Sequence, residues 1–126
     1  MIPEYQSCNS NIVVADWLAA LPVMLSMDAV NLCQIVSAGR FDFELTDQEL
    51  VDFVSQSVRT LLESGAVPVV GNANSQWIWA ANFHFGKGKE EIIGNVVREW
   101  VSSNNDDDYP WTVWFALPNP QHVKFD

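Results

Sequence analysis

Between Thr46 and Gly65 the chain carries the pattern that most narrows what it can fold into. Leu50, Phe53, Val54, Val58, Leu61 and Leu62 fall together on one side of an α-helix, the spacing of a single buried face. Thr46-Asp47-Gln48-Glu49 precedes them in the order of a capping box, with Thr46 as N-cap and Glu49 reaching back to its amide. Gly65 follows as a stop. A helix bounded at both ends with one apolar stripe has to bury that stripe against other elements, and the remaining sequence supplies them.

Upstream, residues 10–38 read as helix in two pieces. Val14, Leu18, Leu21 and Leu25 recur at helical intervals, and Pro22 is expected to kink or divide the segment. Ser26 or Asp28 is placed to cap a second piece carrying Val30, Cys33 or Gln34, and Ser37, with Gly39 as its end. Apolar residues surround most of this stretch, so it is expected to be the central packing element. Arg40-Phe41-Asp42-Phe43-Glu44-Leu45 then alternates apolar and charged residues, the period of a short strand or extended arm.

Downstream, Val67–Val70 is a short β-branched run followed by turn residues, and Trp77, Trp79, Ala81, Phe83 and Phe85 alternate as a strand with one aromatic face. Gly86-Lys87-Gly88 leads into a helix from about Lys89 to Val101, with Ile92, Ile93, Val96, Val97, Trp100 and Val101 as its stripe. Trp111–Leu117 alternates again, and His122–Phe125 is expected to return after the Pro118–Gln121 turn as a last strand. The expected architecture is α+β over a single domain, residues 1–126: N-terminal helices packed on a small antiparallel sheet, with one inserted helix and a C-terminal hairpin.

Hydrophobic residues form 48% of the 126-residue chain, enough for a core in a domain that buries roughly two-thirds of its surface. Charged residues are 17%, against roughly 25% in soluble domains, and the shortfall is in Lys and Arg. Sixteen acids against six bases leave a net charge of −10. Nucleic-acid binding needs a basic footprint, so no nucleic acid is expected as partner. An anionic membrane surface is disfavoured by the same sign, and a basic protein is favoured. Cys8 and Cys33 have no CxxC spacing and read as two reduced thiols. The apolar run 12–25 lacks a preceding Lys or Arg and is too short to span a bilayer, so it reads as buried helix rather than signal peptide. The expected location is cytoplasmic.

The candidate functional residues are surface groups. Asp42, Glu44, Asp47, Glu49 and Asp52 lie between Arg40 and Arg59 with no base among them. Asp47 and Glu49 suit a helix first turn, which leaves Asp42, Glu44 and Asp52 as solvated surface or as a docking face for cationic groups. Asp106, Asp107 and Asp108 form a second acidic run without the pattern of a calcium loop. Trp111 and Trp114, three apart, would face opposite sides of a strand, making one of them a candidate anchor at an interface. Gly86-Lys87-Gly88-Lys89 lacks the length of a phosphate loop and the Ser or Thr after its Lys. His84 and His122 are the two imidazoles. No GxSxG elbow accompanies them, and with the cysteines they have no zinc-ligand spacing. Neither a metal nor another cofactor is expected.

Leu61-Leu62-Glu63-Ser64-Gly65, the strand Val67–Val70, the helix opening Glu90-Glu91-Ile92 and the closing Trp114-Phe115-Ala116-Leu117-Pro118 occur in an order that resembles a family of small acidic bacterial proteins of unassigned function. The chain is similar in character to immunity proteins of contact-dependent growth-inhibition and related polymorphic toxin systems. The resemblance covers residues 28–126 and implies a bacterial, non-enzymatic protein that binds and occludes one toxin domain; it carries over no functional residue. The expected function is therefore a toxin–antitoxin type of interaction, with Asp42, Glu44, Asp52, Asp106, Asp107, Asp108, Trp111 and Trp114 as the toxin-binding set. The expected species is a monomer or weak homodimer. A small acidic adaptor or regulatory subunit is the alternative, and a hydrolase pairing His84 or His122 with a carboxylate is a third reading.

Overall fold

In a computed structural model of the chain, residues 13–71, 79–103, 109–118 and 123–124 are described. Helix α3 (Asp47–Glu63) occupies the centre. Its stripe is buried as the spacing predicts, with Phe53, Val54, Val58 and Leu61 wholly inaccessible. Helix α1 (Val14–Met27) packs on one side of it and α4 (Lys89–Ser102) on the other. The chain leaves α3 through Gly65 at φ +99°, the left-handed conformation that a non-glycine residue adopts only with strain.

Phe53 organises this layer. Its ring stacks on Trp17 of α1 at 5.9 Å between centroids and meets Phe43 at 5.5 Å. The Trp17 indole N–H also donates to the Oγ of Ser57, a fully buried hydroxyl on α3, at 3.1 Å. At the solvent edge, Arg59 pairs bidentately with Glu90 and Lys89 with Glu63, joining α3 to α4. Such exposed pairs align helices while adding little stability.

α1 runs through Pro22 without dividing. Pro22 is exposed, whereas Leu21 and Leu25 beside it are buried. The ring therefore points away from the core, and burial of the flanking leucines outweighs a mid-helix proline cost of about 3 kcal/mol. The same helix is not buried all round, since Val23 is 61% and Met27 81% exposed. The break falls instead at Asp28–Asn31, and the second piece, α2 (Leu32–Ser37), is capped by Asn31 rather than by Ser26 or Asp28. Asn31 Oδ1 accepts the Cys33 amide at 2.8 Å, and Gln34 Oε1 accepts the Asn31 amide at 2.8 Å. This is a buried capping box in an Asn-x-x-Gln sequence. Asn31 also belongs to strand β1 (Val30–Asn31), and its Nδ2 donates to the Val113 carbonyl.

The sheet contains β1, β2 (Val67–Gly71), β3 (Trp79–Ala81), β4 (Trp114–Ala116) and β5 (Val123–Lys124), in the order β1-β4-β2-β3-β5. The first four are antiparallel neighbours, with Val30 opposite Phe115, Val69 opposite Trp114 and Val69 opposite Ala81. The fold is thus α+β, helices on a small antiparallel sheet, with α4 inserted between β3 and β4. The expected C-terminal hairpin is not formed. Both edges of β4 are occupied by β1 and β2, and β5 pairs in parallel with β3 at the other end of the sheet.

The aromatic strand is shorter than its alternation implies. Among the described residues it covers Trp79–Ala81, and the chain turns out of the sheet at Asn82, whose Oδ1 accepts the His84 amide at 3.0 Å. Phe85 is buried while Phe83 is 51% exposed, so the two do not share the buried aromatic face expected of them. Trp77 lies outside the described residues.

Gly39 sits where α2 passes over α3. A Cβ there would stand 2.6 Å from Leu50 Cδ1 and 2.9 Å from Phe53 Cδ2, closer than a packed core accommodates without displacement. Gly39→Ala should destabilise the fold by about 1–3 kcal/mol, read as a lower urea midpoint with an unchanged slope; an unaltered midpoint would refute the close packing described.

Candidate functional site: the acidic turn before α3

Residues 40–45 are neither a strand nor an extended arm. Ala38–Asp42 forms one π-helical turn continuing α2. Its wide ring is closed by the Phe43 amide donating to the Ala38 carbonyl at 3.1 Å, and the Leu45 amide then donates to the Gly39 carbonyl at 2.8 Å. Phe43 and Leu45 are buried, at 5% and 2% exposure, whereas Phe41 is 68% exposed. The apolar residues of the alternation therefore divide: two clamp the turn onto α3 and one is turned outward. The physical cause is the close approach of Gly39 to Leu50 and Phe53, which brings the turn down on α3 and carries Phe43 to the Phe53 ring.

The backbone beyond the turn is strained. Glu44 has φ +54° and Asp47 φ +52°, a left-handed conformation uncommon in non-glycine residues. Two such residues so close together persist only where surrounding packing holds them, and strain of this kind concentrates at binding and catalytic segments; π-helical turns do the same. Asp47 also explains why the predicted capping box is absent. Thr46 has the extended backbone of an N-cap but its side chain accepts no amide, since the left-handed first residue of α3 displaces the turn on which those reciprocal bonds depend.

Asp42 is half-buried in this turn, and Glu44 is exposed directly after it. Asp52 lies on the exposed side of α3 and accepts a hydrogen bond from Gln48 Nε2 at 2.8 Å. The turn thus presents an outward aromatic ring with Asp42 and Glu44 close by along the chain, and Arg40 half-buried at its start. Asp106, Asp107 and Asp108 lie outside the described residues. Trp111 is in a 3-10 turn (Tyr109–Thr112) and Trp114 in β4, so the two do not face opposite sides of one strand. Trp114 is half-buried, packed against the small cluster of Val69 and Ala116. The residue that sequence reasoning missed is Phe41: the alternation assigned it to the same face as Phe43 and Leu45, and no sequence signal marks a π-helical turn.

A second cluster involves one of the histidines. His84 Nε2 contacts Glu99 Oε2 at 2.8 Å, and the Tyr109 hydroxyl donates to Glu99 Oε1 at 3.1 Å. The carboxylate ties the loop after β3 and the 3-10 turn to α4. His84 is largely exposed, and among the described residues no serine or cysteine side chain bonds to its ring. The arrangement is a surface brace, and the nucleophile of a hydrolytic triad is not part of it. His122 and Cys8 lie outside the described residues. Cys33 is half-buried, its Sγ 3.7 Å from Ser37 Oγ. Among the described residues no three His, Cys, Asp or Glu side chains gather as a metal site, and no helix is long and apolar enough to cross a membrane.

Burial of Tyr109, reinforced by the Glu99 charge and its hydrogen bond, raises the phenol pKa well above the usual value of 10.0. The folded state then holds this proton more tightly than the unfolded chain. The sign follows directly: the stabilisation is complete below pH 10 and declines as pH climbs above it. Tyr109→Phe should remove that decline and also the highest-pH component of the tyrosinate absorbance at 295 nm. A variant that keeps both would show that Tyr109 is not held by Glu99.

No protein-family model, curated protein or solved structure matches this chain.

Proposed function

We propose that the protein is a bacterial immunity protein, located in the cytoplasm, that binds a cognate basic toxin domain and occludes its active surface without chemistry of its own. The observation that carries this reading is the turn before α3: Phe41 projects into solvent at 68% exposure beside Asp42 and Glu44, on a backbone pinned from beneath by Phe43 and Leu45. An exposed aromatic ring on a rigid base is the form of an interface anchor, because little entropy remains to be lost when it docks. The acids around it suit a cationic partner, such as the nucleic-acid-binding surface of a nuclease toxin. The net charge of −10 adds long-range attraction that speeds encounter with a basic protein. Occlusion then needs only that the anchor seat and the carboxylates cover the cations that would otherwise hold phosphate. Asp52 extends the acidic face along α3, and the run Asp106-Asp107-Asp108 adds to the negative charge of the chain.

A second reading has its own support. Val23 and Met27 are exposed one helical turn apart on α1, and such an uncovered apolar face suits a small acidic adaptor assembled through it. An adaptor would be found with itself or with a larger complex rather than with one basic domain.

The tagged protein, used as bait in its native host and eluted with a salt gradient, should recover one basic toxin domain released only by high salt or denaturant. With that partner in hand, the Asp42→Lys, Glu44→Lys double variant should slow association and flatten its salt dependence. Phe41→Ala should accelerate dissociation, weakening binding by about 2 kcal/mol. If correctly folded variants bind as the parent does, the turn is not the docking face; if the bait returns only itself, the adaptor reading takes its place.

A further inference from the structure

A groove of about 190 Å³ opens between the sheet and α4, on residues separate from the acidic turn. Its walls are Val67 and Pro68 of β2, Ala81 of β3, Phe83 of the following loop and Ile92 of α4, and Lys87 stands at its lip. We propose that this groove is a binding site for a small aromatic carboxylate, a single ring bearing one carboxylate group.

The size and lining select the ring. A cavity of about 150 Å³ lined by aliphatic and aromatic side chains holds one benzene ring. The groove here is slightly larger and offers the face of Phe83, 51% exposed, for an offset-stacked or edge contact. The charge comes from Lys87. In a chain with sixteen acids and six bases, Arg59 is held by Glu90 and Lys89 by Glu63. The Lys87 ammonium instead lies over the Phe83 ring, 5.8 Å from its centroid. Cation–π contact of this kind keeps a charge poised at an apolar surface. Glu91 is bonded to the backbone of this same loop, not to the Lys87 ammonium. Its Oε1 accepts the Lys87 backbone amide at 3.1 Å, and its side chain fills the space that a Cβ on Gly86 would take. Gly86, at φ +105°, is what allows that carboxylate to tuck beneath the loop.

The test is amide chemical-shift titration of the full chain with three ligands that share a ring and differ in charge: phenylacetate, 2-phenylethanol and 2-phenylethylamine. Phenylacetate should shift Ala81, Phe83, Lys87 and Ile92 saturably and bind at least about fivefold more tightly than the neutral alcohol. The amine should bind more weakly than either. This order is diagnostic because the net charge of the protein favours the opposite one. Lys87→Gln should bring phenylacetate down to the level of the alcohol, and Ala81→Leu should exclude all three, with the amide spectrum checking each fold. Should Ala81→Leu fail to fold, Lys87→Gln alone decides. Preference for the amine, shifts scattered away from the groove, or undiminished phenylacetate binding by Lys87→Gln would each overturn the proposal.

Discussion

The contact on which the rest depends is the meeting of Phe53 with Gly39, Phe43 and Trp17. One fully buried ring touches residues from α1, from the π-helical turn and from the segment that follows it. Because protein interiors are packed as densely as molecular crystals, the absence of a side chain at Gly39 decides how closely α2 and its extension approach α3. That approach sets the turn, which in turn determines that Phe43 and Leu45 face inward while Phe41 faces water. The proposed docking surface would thus be a by-product of core packing, since the buried neighbours Phe43 and Leu45 hold the backbone in a strained form.

Charge is distributed with a similar economy. The few bases are placed where they do local work, Arg59 and Lys89 bracing α4 on α3, and sixteen acids against six bases leave the surface strongly negative. Such a surface repels itself and stabilises nothing in isolation. Its physical value lies in encounter with a partner of opposite sign. The two proposed sites use opposite chemistry on the same molecule: an acidic turn with a projecting ring, and a receding apolar groove with a cation at its lip. Each can be altered without touching the other, because no residue is shared between them.

Where the sequence was legible, a periodicity and its boundary signals pointed to the same element. The stripe of α3 and its stop at Gly65, and the short run of β2, appear where spacing places them. So does the stripe of α4 except at its end, where Val101 is 54% exposed because the helical turn carries it past the edge of the face that buries Ile92, Ile93, Val96 and Trp100. Reading failed where a tertiary contact overrode a local preference. Pro22 continues a helix because the leucines beside it are buried. The Asn31-x-x-Gln34 cap competes in the sequence with the equally good local signals of Ser26 and Asp28, and it forms where Asn31 is buried beside Val113. The alternation of residues 40–45 is satisfied equally by a strand and by a π-helical turn with the residues dealt to different sides, and only packing on α3 distinguishes them. Of the candidate site, the acids Asp42 and Glu44 were readable from composition, while the exposure of Phe41 was not.

By itself, then, the sequence determined the main helical stripes, the β2 run, the α+β class and the acidic character, because these follow from local periodicity and from counting charges. Tertiary structure alone decided the strand order, with β5 beside β3 instead of β4, the outward turn of Phe41, and the groove beneath Lys87. Those features depend on which edges and faces remain open after the core has closed, and that is a property of the whole packed chain.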